Sequence, residues 1–386
     1  MPSDPVLQDT LVLDLSRVLT GPYAAMMLGD LGARVIKVER PGSGDDTRSW
    51  GPPFAGTGEH RTSTYFLSVN RNKESIALDL RHEQDLDALR KLIKRADVLV
   101  ENFRPGVMDR LGLSTEELHE LNDQLVVLSI TGFGHDGPQA ERAGYDQIVQ
   151  GEAGLMSLNG PGEDQPTRIG VPICDILAGM FGAYGVLGAL HRRNRTGRGD
   201  VVRTSLFAAS IGVHAFQATR WLMAGEVPGP IGNHHPTLVP YQTFRCQDGL
   251  IQIAVGNDAI WKRCAAVLGI DGDAPDYRTN TDRVRNADTL LPMIEDTLQK
   301  APLQYWLKLF GDNGVPAGEV KDLEQVYSDP MTLSQGLLME LEHSELGPVR
   351  MAGTPLRFEA GEFEEHQAPP SLDEHGPQIR RWLYQE

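Results

Sequence analysis

An isolated acidic residue in an apolar stretch is the clearest sign of chemistry in this 386-residue sequence. Asp175 is the only charged residue between Arg168 and His191, within IGVPICDILAGMFG. At the start of a helix beginning near Ile176, its carboxylate could cap the free N–H groups. A helix N-terminus also favours the ionised form, and an ionised, partly desolvated carboxylate can act as a nucleophile. The pattern therefore allows two compatible roles for Asp175, a helix cap and a nucleophile.

Other common catalytic patterns are missing from the sequence. It contains no G-x-S-x-G, no H-E-x-x-H and no cysteine set for a metal. Cys174, Cys246 and Cys264 are far apart, which predicts free thiols in a reducing compartment. His234 and His235 could bind a metal or line a substrate pocket, but a surface turn is our preferred interpretation. We expect no metal site and no tightly bound cofactor.

Composition limits the classes of partner. Forty per cent apolar and 23% charged residues are typical of a globular protein, and the net charge of −17 argues against nucleic acid or an anionic membrane. The run 169–190 is interrupted by Pro172 and Asp175, and we expect a buried core element there. The opening residues MPSDPVLQDT do not resemble a signal peptide, so we expect a cytoplasmic protein.

The order of elements predicts an α/β fold. Strands are indicated at Leu11–Ser16, Ala33–Glu39, Val98–Asn102 and Leu125–Thr131, with helical patterns between them. This alternation predicts a doubly wound parallel sheet. The next helix carries glycine at every third position, and such a ridge allows close packing. Its members are Gly179, Gly182, Gly185 and Gly188.

The pattern changes after about residue 225. An antiparallel hairpin is indicated at Tyr241–Cys246 and Leu250–Val255, followed by a helix from Asp258. We therefore predict a large domain over 1–225, completed by 326–386, and a smaller α+β domain over 226–325.

Ligands of open parallel sheets bind beyond the carboxyl ends of the strands. The residues that follow the predicted strands are rich in arginine and glycine, which suits a multiply phosphorylated ligand. These groups are Arg17 to Thr20, Arg40 to Ser43, Asn102 to Gly106 with Arg110, and Thr131 to Gly134, with Asn70 to Lys73 and Arg81 on a connection. Solvated loop arginines are the alternative for any single member of this set.

One glycine pattern resembles a dinucleotide fingerprint. Gly132, Gly134 and Gly137 match G-x-G-x-x-G after a strand. However, Pro138 follows directly, no apolar helical stripe begins there, and the match lies on a late strand. We therefore do not predict nicotinamide binding.

Taken together, the motifs resemble the class III CoA-transferases, the group of formyl-CoA transferase and carnitine CoA-transferase. The resemblance runs nearly end to end, and its segments are DLSRVLTGPYAAMMLGDLGARVIKVERPGSGDDTR, NRNKESIALDLR, ADVLVENFRPGVMDRLGL, GVPICDILAGM, RTGRGDVV, GVPAGEV and GTPLRF. It implies a Rossmann-like large domain, a smaller domain and a homodimer of two interlocked chains.

The resemblance also implies a set of site residues. Asp175 matches the catalytic aspartate, and coenzyme A is expected as a substrate. Positions expected to contact CoA are Val18, Leu19, Arg40, Leu78, Asp79, Leu80, Arg81, Asn102, Phe103, Arg104, Arg110, Thr131, Gly132, Phe133, Gly134 and Tyr145.

The implied reaction is transfer of CoA from an acyl-CoA, for which succinyl-CoA is one candidate, to another carboxylic acid. It would pass through an anhydride and an aspartyl-CoA thioester on Asp175. Leu19 stands where formyl-CoA transferase has glutamine, which argues against oxalate and formyl-CoA as the natural pair and leaves the acceptor open.

Two other functions remain open at this point. The 2-methylacyl-CoA racemases of the same superfamily use a histidine in an AGHD motif, and Tyr145 occupies that position here. Tyrosine is a poor proton relay at neutral pH, although His135 lies nearby. A non-catalytic CoA-binding protein is the third possibility, and the intact Asp175 argues against it.

Overall fold

A computed structural model describes residues 5–58, 61–359 and 365–385, which form two compact units. The first unit is drawn from Met1–Leu155, Arg168–Glu226 and Met331–Glu386, and the second from Met156–Thr167 and Val227–Pro330. The short segment 156–167 belongs to the second unit, and nothing in the sequence pattern indicates this.

A six-stranded sheet forms the centre of the first unit. Its strands are β1 (Leu11–Asp14), β2 (Arg34–Glu39), β5 (Lys73–Ala77), β6 (Val98–Glu101), β7 (Val126–Thr131) and β8 (Asp200–Ser205). The spatial order is β5-β2-β1-β6-β7-β8, and every neighbouring pair is parallel. Counted within the sheet, this order is 3-2-1-4-5-6, the Rossmann order. The predicted α/β class and the Rossmann-like sheet are confirmed.

Helices cover both faces of this sheet. Residues of α1 (Thr20–Asp30), α8 (Ile173–Thr196) and α9 (Leu206–Gly212) form the core on one face. Residues of α3 (Glu83–Arg95), α5 (Thr115–Leu121) and α17 (Gly376–Tyr384) form the core on the other. The short elements of the first unit are a 3₁₀ helix (Asp46–Ser49), β3 (Phe54–Ala55), β4 (Thr62–Ser63), α2 (Thr64–Ser68), α4 (Val107–Arg110), α6 (Asp146–Glu152), α10 (Ala215–Ala224), β12 (Leu338–His343) and β13 (Gly347–Ala352). The helices α7 (Leu155–Leu158) and α16 (Pro330–Ser334) cross from one unit into the other.

Local sequence explains several boundaries. Ser114 and Glu117 form a capping box at the start of α5, each side chain bonding the other's backbone N–H. By contrast, α8 begins at Ile173, three residues before the predicted start near Ile176, and Pro172 occupies its N-cap position without a side-chain bond. Asp175 therefore lies inside the first turn, and its expected role as N-cap is wrong.

Residues 70–73 lie in the interior of the protein and not at the ligand edge predicted for them. Lys73 begins β5 and pairs with Val35 at the start of β2, so Asn70 to Lys73 lie at the amino edge of the sheet. All four residues are buried, and Arg71 forms an ion pair with Asp30. Their expected place at the ligand edge is wrong, because the chain passes through the interior here.

The glycine ridge of α8 lies at close helix contacts. A Cβ at Gly179 would lie 2.8 Å from the Thr20 carbonyl oxygen, and one at Gly185 would lie 2.5 Å from a Val202 methyl carbon. Gly182 is similarly close to Leu128, whereas Gly188 faces open space. Three of the four glycines therefore permit close approach to α1, β7 and β8. Within the described residues, α8 alone is long and apolar enough to span a membrane. Part of its apolar surface packs in the core beside the sheet, and part of it is exposed.

The second unit has its own sheet and core. β9 (Tyr241–Arg245) and β10 (Leu250–Ala254) form the predicted antiparallel hairpin, and β11 (Ala317–Glu319) pairs with β10. Its helices are α11 (Asp258–Leu268), α12 (Asn280–Arg285), α13 (Ala287–Leu298), α14 (Leu303–Asp312) and α15 (Leu323–Ser328). The core includes Trp261, Leu290, Ile294 and Phe310.

Candidate active site

A cleft of ≈ 260 Å³ opens in the first unit at the carboxyl ends of β1, β6 and β7. β1 is the strand at which the chain order reverses, the position where open α/β sheets bind ligands. Its lining residues are Arg17, Val18, Thr20, Asp46, Asn102 to Pro105, Ile130 to Gly132, Ala140, Arg142 to Tyr145, Asp175 and Leu206.

Asp175 lies in the wall of this cleft, in the first turn of α8. The hydroxyl of Thr20, the first residue of α1, donates a hydrogen bond to its Oδ1. Burial raises the pKa of Asp175 to about 6, the Thr20 hydrogen bond lowers it, and the negative charge of Asp146 adds to the rise. The helix start was expected to favour the ionised carboxylate, and burial opposes this effect. At neutral pH the ionised form still predominates.

Asp146 accepts a backbone N–H at the start of α8, which is the role that the sequence suggested for Asp175. Its Oδ1 accepts the Cys174 N–H of α8 at 2.8 Å, and its Oδ2 accepts from the Gln150 amide at 2.7 Å. These bonds connect the start of α6 to the start of α8 and thereby fix the turn that carries Asp175. The sequence segment 143–146, AGYD, contains this aspartate, but its pattern alone does not indicate a bond to a helix residue 28 positions away.

Arginines give this cleft a local positive charge in an acidic protein. Arg17 lies with its guanidinium carbon 5.2 Å from the Phe103 ring centre, and its pKa is lowered by burial and by nearby Arg40. Arg142 lies 4.7 Å over the Phe133 ring and also pairs with Glu152. Positive charges beside aromatic rings suit phosphate groups and a heterocyclic base.

The cleft contains only part of the predicted CoA set. Val18, Asn102, Phe103, Arg104, Thr131, Gly132 and Tyr145 line it, together with the predicted catalytic residue Asp175. Arg40 adjoins it through an ion pair with Asp46. The remaining members do not line the cleft. Leu19, Leu78 and Phe133 are buried in the core, and Asp79 and Arg81 form an ion pair with each other after the end of β5. Leu80, Arg110 and Gly134 also lie outside the lining.

Three residues near Asp175 were missed by sequence reasoning. Thr20 was noted only as a strand-end residue and Arg142 not at all. Tyr65 of α2 also lies nearby: burial raises its pKa to about 12, with contributions from the charges of Asp175 and Asp146. Their positions depend on long-range packing, so no local pattern marks them.

The glycine pattern after β7 serves backbone packing. A Cβ on Gly132 would lie 2.7 Å from the Gly144 Cα atom, so the two segments touch directly at these glycines. Gly134 and Gly137 adopt positive φ values of 110° and 95°. Packing and turn formation therefore explain the match to the dinucleotide fingerprint.

The histidines considered from the sequence lie outside the cleft. His135 Nε2 is 2.8 Å from the Ser129 hydroxyl in a neighbouring cavity, and that hydroxyl donates to Glu101. His235 packs against Tyr241 in the second unit with the two ring planes tilted by 47°, and His234 also lies in this unit. No group of three or more potential metal ligands occurs among the described residues.

Comparison with known proteins places this fold and site in one class. The profile of CoA-transferase family III matches residues 7–376. The succinyl-CoA:glutarate CoA-transferase of Homo sapiens is 37% identical over 375 residues, 97% of this chain and 85% of that protein. The acetyl-CoA:oxalate CoA-transferase of Acetobacter aceti is 40% identical over 376 residues, 96% and 94% of the two chains. A crystal structure of a CAIB/BAIF family protein from Brucella suis has a TM-score of 0.89 and 39% identity, covering 98% of this chain and 100% of that one.

The chain therefore belongs to CoA-transferase family III. It is an enzyme that transfers coenzyme A between an acyl-CoA and a carboxylic acid, and the predicted family and enzyme class are confirmed.

Proposed function

We propose that Asp175 is the covalent nucleophile of this CoA transfer. The observation that carries the proposal is its carboxylate in the wall of an arginine-lined cleft, hydrogen-bonded to Thr20. A carboxylate with a pKa near 6 needs no general base at neutral pH. Partial burial leaves it less solvated than a surface aspartate, which favours attack on a thioester carbonyl.

The reaction proceeds through four displacements. An Asp175 oxygen attacks the acyl carbon of the donor and the C–S bond breaks, so that CoA leaves as a thiolate and a mixed anhydride of Asp175 and the donor acid remains. The thiolate attacks the Asp175 carbonyl carbon, which releases the donor acid and forms an aspartyl-CoA thioester. The acceptor carboxylate then attacks that carbonyl carbon, and the released thiolate attacks the acceptor acyl carbon. The products are a new acyl-CoA and free Asp175.

Arginines of the cleft would bind the charged parts of CoA during these steps. Arg17, Arg104 and Arg142 line the cleft, and Phe103 offers an aromatic surface for the base. The other CoA contacts implied by the family resemblance, including Arg40, Leu78 to Arg81 and Arg110, remain predictions for the bound state. So does the absence of a tightly bound cofactor.

We propose small dicarboxylic acids as the substrates. Relatives are named as transferases for succinyl-CoA with glutarate, acetyl-CoA with oxalate, and succinyl-CoA with mesaconate. Succinyl-CoA is therefore the first donor to test. Although Leu19 led us to disfavour the oxalate and formyl-CoA pair, the oxalate-specific name of one relative puts oxalate in the acceptor panel.

We further propose that the active enzyme is a homodimer. In α10 none of the residues is buried, although Phe216, Trp221, Leu222 and Met223 are apolar. On α8, Met180, Phe181 and Tyr184 are also exposed. Large apolar side chains exposed on two helices are typical of a surface that another chain covers, and a second copy would cover them here. The interlocked arrangement and the cytoplasmic location remain predictions from the sequence.

Trapping the covalent intermediate tests the role of Asp175. The protein is incubated with succinyl-CoA, quenched with hydroxylamine or borohydride, and digested for peptide mapping. We expect modification at Asp175 in the wild type and none in Asp175→Asn. As a matched control, Asp136→Asn changes a carboxylate of the neighbouring cavity and should leave the adduct in place.

Two results would overturn this assignment. One is modification at a different residue. The other is full transferase activity of Asp175→Asn. Exchange of the α-proton of an acyl-CoA for deuterium without an acceptor acid would instead indicate racemase chemistry.

A further inference from the structure

Val18 adopts a backbone conformation that valine rarely tolerates. Its φ angle is 69°, in the left-handed region, and it is the one β-branched residue with positive φ in the described part of the chain. A branched Cβ clashes with the backbone in this region, so the surroundings must hold the residue there. Val18 lies in the loop between β1 and α1 and lines the cleft. A strained residue at such a place indicates a functional constraint.

A buried carboxylate holds this turn. Asp45 is 2% exposed, and its Oδ1 accepts the Val18 N–H at 3.3 Å. The same oxygen accepts the Thr47 N–H at 2.9 Å and the Thr47 hydroxyl at 2.8 Å. Its Oδ2 pairs with the Lys37 ammonium at 3.0 Å. Asp45 thus accepts three hydrogen bonds through Oδ1 and holds the Lys37 charge beside Oδ2, and a neutral amide of equal size cannot supply that charge.

Other buried side chains fix the rest of this loop. The Lys37 ammonium donates to the Ser16 carbonyl at 3.0 Å, and Asp14 accepts the Ser16 N–H at 3.0 Å. Asn102 bonds the Arg17 N–H and the Arg17 carbonyl, each at 2.8 Å. The backbone is therefore held continuously from Ser16 to Val18, two residues before Thr20.

The loop ends at Thr20, and its conformation determines where the Thr20 hydroxyl lies relative to Asp175. Thr20 is 3% exposed, begins α1 and donates to Asp175. We propose that Asp45 is a positioning residue that holds Val18 in the left-handed turn and thereby places the Thr20 hydroxyl on Asp175. The inference rests on the proposed nucleophilic role of Asp175. It adds a residue that touches neither substrate nor nucleophile.

The obvious alternative is that Asp45 only stabilises the fold as partner of Lys37. A purely structural role would lower stability without changing the chemistry of the folded enzyme. A positioning role instead changes the ionisation of Asp175, because the Thr20 hydrogen bond lowers the pKa of that carboxyl. The two roles therefore differ in the pH profile.

Asp45→Asn is the informative substitution. We expect adduct formation at Asp175 from saturating succinyl-CoA to slow by about tenfold to a hundredfold at pH 7, the scale of a small misplacement of catalytic groups. We also expect the pH of half-maximal rate to rise. Asp30→Asn is the matched control, because it removes another buried carboxylate, one that pairs with Arg71 and bonds Asn72 at the opposite edge of the sheet. It should lower the melting temperature and leave both kinetic readouts unchanged.

A double-mutant cycle with Val18→Gly tests the link through the turn. Glycine adopts positive φ without a clash, so it does not need Asp45 to hold it there. The effect of Asp45→Asn on the rate should shrink to below about threefold in the Val18→Gly background. An equal effect in both backgrounds, or a wild-type rate and pH profile in Asp45→Asn, overturns the inference. Failure of the wild type to form an Asp175 adduct would overturn the proposed function instead.

Discussion

At the level of single residues, two opposing effects set the charge of Asp175. Its place in the first turn of α8 favours the ionised carboxylate, while burial disfavours it. Burial dominates and brings the pKa to about 6. The result is a carboxylate that is less solvated than an ordinary aspartate but still ionised near neutral pH. Both properties suit attack on a thioester.

The pH dependence of adduct formation follows from this value. The ordinary pKa of 3.8 is raised to about 6 in the folded protein, so Asp175 gains a proton as the pH falls through about 6. The protonated acid is not a nucleophile. The single-turnover rate with succinyl-CoA should therefore be constant above about pH 7 and fall about tenfold per pH unit well below 6.

Thr20→Val provides the comparison for this profile. It removes the hydroxyl that donates to Asp175 and keeps a β-branched side chain at the start of α1. The midpoint of its profile should lie at higher pH than that of the wild type. A midpoint that stays near the ordinary value of an aspartate in both proteins would contradict the assignment of the titrating group.

The sequence predicted Asp175 as the nucleophile but did not predict the residues around it. Asp175 was found because a lone charge in an apolar run is visible locally. Asp146, Thr20 and Tyr65 lie elsewhere in the chain and approach Asp175 only after α1, α2, α6 and α8 have packed. The cleft residues that follow strands were predictable, since parallel strands end at a common edge.

At the level of elements, α8 combines two tasks. Its first turn carries Asp175, and its glycine ridge lets α1 and the sheet approach closely. Gly179 lies against the carbonyl of Thr20, and the Thr20 hydroxyl donates a hydrogen bond to Asp175. The spacing of α1 and α8 therefore controls the geometry of the active site as well as the core.

Gly179→Ala tests this coupling. The new Cβ would lie 2.8 Å from the Thr20 carbonyl oxygen and 3.1 Å from the Tyr23 ring, so the two helices must move apart. We expect a loss of about 1–3 kcal/mol in unfolding free energy, as for other overpacked sites. We also expect a lower kcat in the fraction that remains folded. Denaturant titration and steady-state kinetics measure the two effects.

Gly188→Ala is the control on the same helix. A Cβ there meets nothing within 4 Å, and alanine is a better helix former than glycine by about 1 kcal/mol. This variant should be as stable as the wild type or more so. If Gly179→Ala and Gly188→Ala have the same unfolding free energy and kcat, then close packing at Gly179 does not matter for stability or activity.

Four strands of the six-stranded sheet were predictable from their pattern, and the other two, β5 and β8, were not. The sequence of β5 is KESIA, and its buried Lys73 donates to Asp14 inside the protein. Because two of its five residues are charged, the segment does not have the apolar pattern of a core strand. β8 reads DVVRTS and forms the sheet edge, where polar residues are tolerated. Hydrophobic periodicity cannot detect strands whose polar side chains are satisfied by distant partners.

At the level of the whole molecule, the proposed dimer makes a direct prediction. Leu222 of α10 is 76% exposed in the single chain. Leu222→Asp would place a charge in the proposed apolar interface, so the protein should shift from dimer toward monomer. Light scattering coupled to size-exclusion chromatography measures the mass.

A charge placed elsewhere serves as the control. Val284 on α12 is also exposed, at 44%, and Val284→Asp should leave the mass unchanged. A wild-type protein that is monomeric at micromolar concentration would remove the basis for the dimer.

The docking of α17 has a consequence for biosynthesis. Ile379 and Leu383 complete the core beside α3, and Asp373 accepts the Ala77 N–H of β5 from 296 positions away. At ~5–20 residues per second, a ribosome needs roughly 15 to 60 s to make the intervening chain. During that interval the apolar surface that α17 covers beside α3 stays exposed to solvent. Exposed apolar surface promotes aggregation, so we expect the yield of folded enzyme to depend on chaperone supply.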